Sequence, residues 1–303
     1  MRREVEYNGL KWVDVLEPTE VDVSYFKTTF ALHSVTLKNI VPPVAHPTID
    51  VFQDYIFLTL HYPRNEKGGD VEIYELDIIV GKNFIVTSHH KSIRPIDNFF
   101  EECETQKARR EEYMKNGSGR LLIFILEKFL KRILEKTDEI SKDVGFVEKE
   151  IFTEQERKII RKISYLKRRI ISFWRAIDPQ REIFYSLKTM NSDYFGKECK
   201  HYFSDLFIVY ARIDNYLKTL KDTIESLEQT NHSIVNLRRN EIVKILTIFS
   251  VILMPLTLLA SMWGMNTTLL PFRQFSFDFW IIMGVMAVIS VIMLWYFKLK
   301  KWL

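Results

Sequence analysis

From residue 245 through residue 272 the chain carries no Asp, Glu, Lys or Arg, and from 279 through 297 it carries none again. The first run opens ILTIFSVILMPLTLLASMW and the second reads FWIIMGVMAVISVIMLWYF. Each supplies the roughly 20 apolar residues with which a helix crosses about 30 Å of hydrocarbon. A core helix normally keeps a polar face, so two such runs in tandem read as a membrane hairpin, with spans at about 243–263 and 278–297. No apolar segment follows the basic residues of MRREVEYNGL, so the N-terminus does not read as a signal peptide.

The flanks set an orientation. Arg238, Arg239 and Lys244 precede the first span, and Lys298, Lys300 and Lys301 follow the second as a basic ring. The loop between them holds only Arg273 and Asp278 as charges. Positive-inside bias then puts both termini in the cytoplasm of a multi-pass protein of the inner cell membrane. The two cysteines, Cys103 and Cys199, are too few for a disulfide framework and agree with a reducing compartment.

The chain reads as three segments: an N-terminal α/β domain over 1–120, a helical stalk over 121–240, and the membrane hairpin over 241–303. The fold class expected is an α+β cytosolic domain joined to long stalk helices and two C-terminal transmembrane helices. Residues 51–62 and 71–80 have strand character, the second alternating apolar with polar, and Gly81-Lys82-Asn83 turns into a strand over 84–88. Residues 21–40 read as partly helical. Ten glycines and nine prolines in 303 residues are few for a protein built on tight turns. Apolar residues at three- and four-residue steps predict helices over 121–150 and 154–177, and Asp178-Pro179 breaks the pattern after the second. A further helix starts near Tyr202. No glycine or proline interrupts 197–253, so this helix should run on into the first span as a mechanical link.

Basic residues between Arg157 and Arg169 read as a solvated helix face around an isoleucine stripe, and a net charge of +4 argues no nucleic-acid partner. His89 and His90 lack further ligands that the sequence can place, so they are read as structural. Phosphate-binding, nucleophile-elbow and zinc-protease motifs are absent. An enzyme is not expected, nor a prosthetic group.

The first span carries a polar stripe. Thr247, Ser250, Met254, Thr257 and Ser261 step by three and four, and Asn240 and Val243 extend the series upstream. Lipid gains nothing from such a face, whereas water, ions or neighbouring helices do. Two helices cannot enclose a pore, so a channel needs a ring of subunits with the first span inside.

Gly264-Met265-Asn266 comes directly after Trp263 at the end of that span. With MPLTLLASMW before it and the KLKKWL terminus after the second span, it resembles the GMN signature of the CorA family of divalent-cation channels. NEIVKILTIFSVILMPLTLLA, GKNFIVTSHH and LHSVTLKNI extend the resemblance over nearly the whole chain. It implies a funnel-shaped homopentamer in a lipid bilayer. Gly264, Met265 and Asn266 would form the selectivity filter, with Asn266 holding hydrated metal. Asn240, Val243, Leu246, Thr247, Ser250, Met254, Thr257 and Ser261 would line the pore, with Leu246 in the constriction and Val243 where a methionine is usual. The cargo implied is a divalent cation, Mg²⁺ first, also Co²⁺ or Ni²⁺, moving passively down the membrane potential.

The chain departs from the family in two places. Acids often come soon after the GMN, but here TTLLPFRQF brings Arg273. That keeps a ZntB-like proton-coupled Zn²⁺ transporter open as the alternative, although such chains usually replace the methionine. In the family, cytosolic Mg²⁺ bridges a stalk aspartate to an acidic N-terminal segment. Asp205 stands in the matching Tyr202-Phe203-Ser204-Asp205 and would be a metal ligand, but Lys38 and Asn39 replace both acids of the partner segment.

Overall fold

The computed structural model describes residues 1–41, 46–65, 71–152, 156–190, 195–196, 198–265, 277–300 and 302. They divide into two compact units, Met1–Glu228 and Gln229–Leu303.

The first unit is built on a six-stranded sheet: β1 (Arg2–Tyr7), β2 (Leu10–Leu16), β3 (Thr48–Val51), β4 (Tyr55–Asn65), β5 (Val71–Gly81) and β6 (Phe84–His89), ordered β1-β2-β6-β5-β4-β3. Among the described residues the β2–β6 pair alone is parallel. The β1–β2 hairpin, absent from the sequence reading, turns on Asn8 and Gly9, both at positive φ (49° and 78°). That is the mirror-image turn whose twist matches two flanking strands. At the β5–β6 turn a Cβ on Gly81 would lie 2.2 Å from the Phe84 ring, so only glycine admits that ring over the backbone.

Side-chain alternation places Val13 and Val15 of β2 on one sheet face, with Phe57, Ile79 and Val86 in one core cluster. Helices α1 (Glu20–Phe30) and α2 (Ser34–Ile40) close this face through Phe26, Leu37 and Ile40. Trp12 belongs to the opposite face and meets Phe99 and Phe100 of α3 (Arg94–Thr105), ring centroids 5.3 and 4.8 Å away. Beyond α3 come α4 (Lys107–Met114) and α5 (Gly117–Glu150). A sheet covered on both faces explains why β5 does not behave as an alternating strand. Glu75 and Asp77 are buried with their apolar neighbours, and Thr59 across the ladder donates to the Asp77 carboxylate at 2.8 Å. Burial and the neighbouring Glu75 push the Asp77 carboxyl well above its ordinary range.

Helix α6 (Glu156–Ile177) buries Ile159, Ile163, Leu166, Ile170 and Phe173, the three- and four-residue steps of an amphipathic face. Its basic residues are not all solvated: Arg169 is buried and paired with Asp143 at 2.6 Å. Lys162 pairs with Glu150 at 2.5 Å and Lys167 with Glu228 at 2.6 Å. A guanidinium can enter the α5–α6 seam because a carboxylate meets it there. A 3₁₀ turn, Asp178–Gln180, leads into α7 (Arg181–Thr189), and the Tyr210 hydroxyl ties that corner by donating to the Ile177 and Asp178 carbonyls.

Helix α8 (Cys199–Trp263) runs for 65 residues, roughly 98 Å at 1.5 Å per residue. Within the first unit it buries Phe203, Leu206, Tyr210, Ile213, Leu217, Leu220 and Ile224. Helix α9 (Asp278–Leu299) belongs to the second unit. The apolar end of α8 and the whole of α9 are long and apolar enough to cross a bilayer.

Candidate ion pathway

At 100° per residue, Asn240, Val243, Leu246, Thr247, Ser250, Met254, Thr257 and Ser261 fall within an arc of about 120° on α8. All eight are exposed in the single chain. Ile248 is buried, and Ile252, Pro255, Leu256, Leu259 and Trp263 are half-buried. These shielded positions centre about 170° from the first set. The matching stripe on α9 is Ile282, Met286, Ile289, Ser290, Met293 and the buried Phe297. The polar stripe therefore faces directly away from the part of α8 that its own chain shields, and no described residue of the chain covers it.

The hydroxyls on the stripe are pre-oriented. Thr247 donates to the Val243 carbonyl at 2.8 Å, Ser250 to Leu246 at 3.0 Å, and Thr257 to Leu253 and Met254, both at 2.9 Å. Each proton is spent inside the helix, which leaves oxygen lone pairs facing outward. A row of acceptors suits the outward-pointing hydrogens of a hydrated cation's water shell. Pro255 has no N–H for the Val251 carbonyl, yet the helix continues through it.

Gly264 and Met265 close α8: the Gly264 N–H bonds the Ala260 carbonyl at 2.9 Å and that of Met265 bonds Met262 at 3.3 Å. Asn266, with the loop through residue 276 including Arg273, lies outside the described residues, as does Lys301. Lys298 and Lys300 are exposed at the C-terminal end of α9, where cations complement the helix dipole. Asp205 is exposed on α8 in the first unit. It contributes to holding the Glu127 carboxyl of α5 above its ordinary value, after burial. Lys38 is exposed and Asn39 partly exposed on α2. Among the described residues neither bonds Asp205 within the chain.

A second polar cluster was half visible in the sequence. His89, buried at the end of β6, turns Nε2 to within 3.3 Å of Asp14 on β2 and 3.7 Å of Asp97 on α3. The potential ligand atoms of these three residues lie within 4.8 Å of one another. The Arg3 guanidinium already sits 2.6 Å from Asp14 and 3.3 Å from Asp97, in the place a metal would take. Thr87 donates to Asp14 at 2.6 Å and Ser92 to Asp97 at 2.6 Å. With Arg3 and His89 both cationic, the charges balance without an ion, and the cluster joins β1, β2, β6 and α3. Sequence reasoning noticed His89 but not Arg3, Asp14 or Asp97.

Comparison with known proteins bears on both units. The family described as "CorA-like Mg2+ transporter protein" matches residues 7–300. The "Cobalt/magnesium transport protein CorA" of Thermotoga maritima is 28% identical over 276 residues, covering 90% of this chain and 78% of its own length. Among solved structures, the CorA magnesium transporter of Methanocaldococcus jannaschii superposes with a TM-score of 0.87 at 21% identity, over 99% of this chain and 94% of that one. The ZntB cytoplasmic domain of Vibrio parahaemolyticus gives 0.55 at 13% identity, over 75% of this chain and 88% of its own.

Proposed function

The chain belongs to the CorA-like Mg²⁺ transporter family, a family of membrane transporters rather than enzymes, and from that premise we propose that it is a homopentameric channel passing Mg²⁺, and also Co²⁺ or Ni²⁺, into the cytoplasm. The observation that carries this reading is the placement of the α8 stripe: eight exposed residues on the face opposite the shielded one. In a ring of subunits that face lines a common axis, and the outward hydroxyl oxygens of Thr247, Ser250 and Thr257 line a path for a hydrated ion. Mg²⁺ gives up its water shell reluctantly, so acceptors that hold the shell suit it better than a cage that strips it. Asn266, with Gly264 and Met265, forms the outer filter. Leu246 and Val243 form an apolar constriction, which gates by excluding water. Lys298, Lys300 and Lys301 lie on the cytoplasmic side with both termini, in the cell membrane. No prosthetic group is needed. The driving force is the membrane potential, about 2.3 kcal/mol per charge per 100 mV and twice that for a divalent ion.

Purified protein in sealed liposomes tests this directly. We expect Mg²⁺ uptake that tracks an imposed inside-negative potential and is lost in Asn266→Ala, with the pentamer intact by size-exclusion chromatography. Zn²⁺ uptake that tracks an imposed pH gradient and ignores the potential would establish the ZntB-like alternative instead. Normal uptake by an assembled Asn266→Ala protein would remove Asn266 from the filter.

A further inference from the structure

Where the end of β4 meets α5 and the start of α3, the first unit holds a cavity of about 280 Å³. Its wall is cationic: Arg64, Arg94, Arg132 and Lys136 line it with Tyr62, and Glu139 is the one acid among the described lining residues. Lys136 is only 8% exposed, and its ammonium has a carbonyl acceptor, Pro63 at 3.2 Å, and the Tyr62 ring at 4.8 Å. Among the described residues neither Lys136 nor Arg94 has a carboxylate within ion-pair distance. Arg132 is paired with Glu135 at 2.8 Å, and Arg64 reaches the Ser92 carbonyl at 3.5 Å. A buried ammonium next to guanidiniums is costly unless an anion offsets it. The strain registers on Lys136 itself: burial, then the Arg132 charge, push its pKa down to about 8, with Glu139 pulling it back and Arg64 and Arg169 adding less.

We propose that this cavity binds the diphosphate group of a soluble phosphate compound. Convergent Arg and Lys donors on a planar-forked and a point-charge geometry are the usual recognition of phosphate oxygens. The volume equals on the order of nine waters, which is room for a diphosphate rather than for a bare chloride. Inorganic pyrophosphate and nucleoside diphosphates share this chemistry. The site belongs to the first unit and shares no residue with the α8 stripe, and it would give the transporter a cytosolic input that is not a metal. None of its residues stands out in the sequence, because β4, α3 and α5 each contribute only a few of them.

The test uses the full-length protein in detergent, with a chelator so that divalent ions do not sequester the probe. Inorganic pyrophosphate and ADP are titrated calorimetrically, with sulfate at matched ionic strength as the control. We expect saturable pyrophosphate binding that sulfate does not reproduce, weakened about tenfold or more by Arg94→Ala and by Lys136→Met. Tighter binding of ADP would assign the site to nucleotides, and equal or weaker binding to inorganic pyrophosphate; either supports the proposal. If Lys136→Met does not fold, Arg94→Ala decides, since Arg94 is exposed. No saturable binding in the millimolar range, or binding that sulfate matches or that the folded variants retain unchanged, overturns the proposal. Loss of ion transport in the liposome experiment would leave this binding measurement untouched.

Discussion

Asp14 has no exposed surface and still keeps its charge. Burial pushes its carboxyl up, but hydrogen bonds and charge from His89, and hydrogen bonds from Thr87 and Arg3, outweigh it and hold the carboxyl below its ordinary value. Burial likewise opposes the His89 imidazolium, and Asp14 with Asp97 overcomes it, so its pKa is raised. Their contributions to stability run in opposite directions with pH. The Asp14 contribution is complete above the unfolded carboxyl value near 3.9 and fades as pH falls through the lower folded value. The His89 contribution is complete below about 6.5 and is lost as pH rises through the raised folded value. This corner is thus firmest between about pH 4 and about 6.5. Asp14→Asn leaves Asp97 as the carboxylate facing both Arg3 and His89 and should cost about 2 kcal/mol. It should also flatten the alkaline decline of the melting temperature between about pH 6 and about pH 9. An unchanged alkaline slope in Asp14→Asn would place the origin of that decline elsewhere. His89 stood out in the sequence because histidines at a strand end are conspicuous. Its partners did not, since pairing β2 in parallel with β6 is a tertiary event that no local pattern encodes.

At the scale of the element, α8 was the most legible part of the molecule. Sixty-five residues without an internal glycine, and with one proline inside the apolar segment, leave little but helix as an outcome. The small strands were less legible for a physical reason. β1 reads RREVEY, polar enough to pass for a solvated terminus, and only the Asn8-Gly9 turn announces it. In β5, Glu75 and Asp77 mimic a solvent face while lying in the interior, because Thr59 and their mutual hydrogen bonding take the place of water. For α8 the proposed division of faces can be mapped by single cysteines. The native thiols are replaced first; both are buried, and burial pushes that of Cys103 up to about 12. Cysteines at Ser250, Met254 and Thr257 should react with a small charged thiol reagent that enters along a water path. Those at Ile252, Leu256 and Leu259 should not. Equal reactivity on the two faces, or a pattern reversed between them, would place the stripe against lipid or protein instead of water.

For the whole molecule, two expectations depend on how chains meet each other and the bilayer. Basic flanks on both spans lead us to expect the loop around Thr268 outside and the C-terminus within, so a membrane-impermeant thiol reagent added to intact cells should label a cysteine at the first position and not the second. Strong labelling of the C-terminal cysteine would invert the topology. The other concerns control by the transported ion. Asp205 is exposed on α8, while α2 offers Lys38 and Asn39, also accessible, where the family pattern implies two acids. Nothing among the described residues joins these positions within the chain, so in the proposed ring of subunits a bridge between them would cross a subunit boundary. A lone carboxylate facing a lysine neutralises little of a divalent charge, whereas Lys38 can meet Asp205 directly and hold the boundary with no metal. An exposed pair of that kind contributes at most about 1 kcal/mol per boundary, but a ring of subunits repeats it. Cytosolic Mg²⁺ is therefore expected to close this channel weakly. Limited proteolysis of the purified protein should change little as Mg²⁺ is titrated through the millimolar range. Asn39→Asp combined with Lys38→Glu restores the acids and should make protection rise steeply with Mg²⁺. Steep Mg²⁺-dependent protection of the unmodified protein, abolished by Asp205→Ala, would mean that Asp205 bridges the ion with ligands other than Lys38 and Asn39.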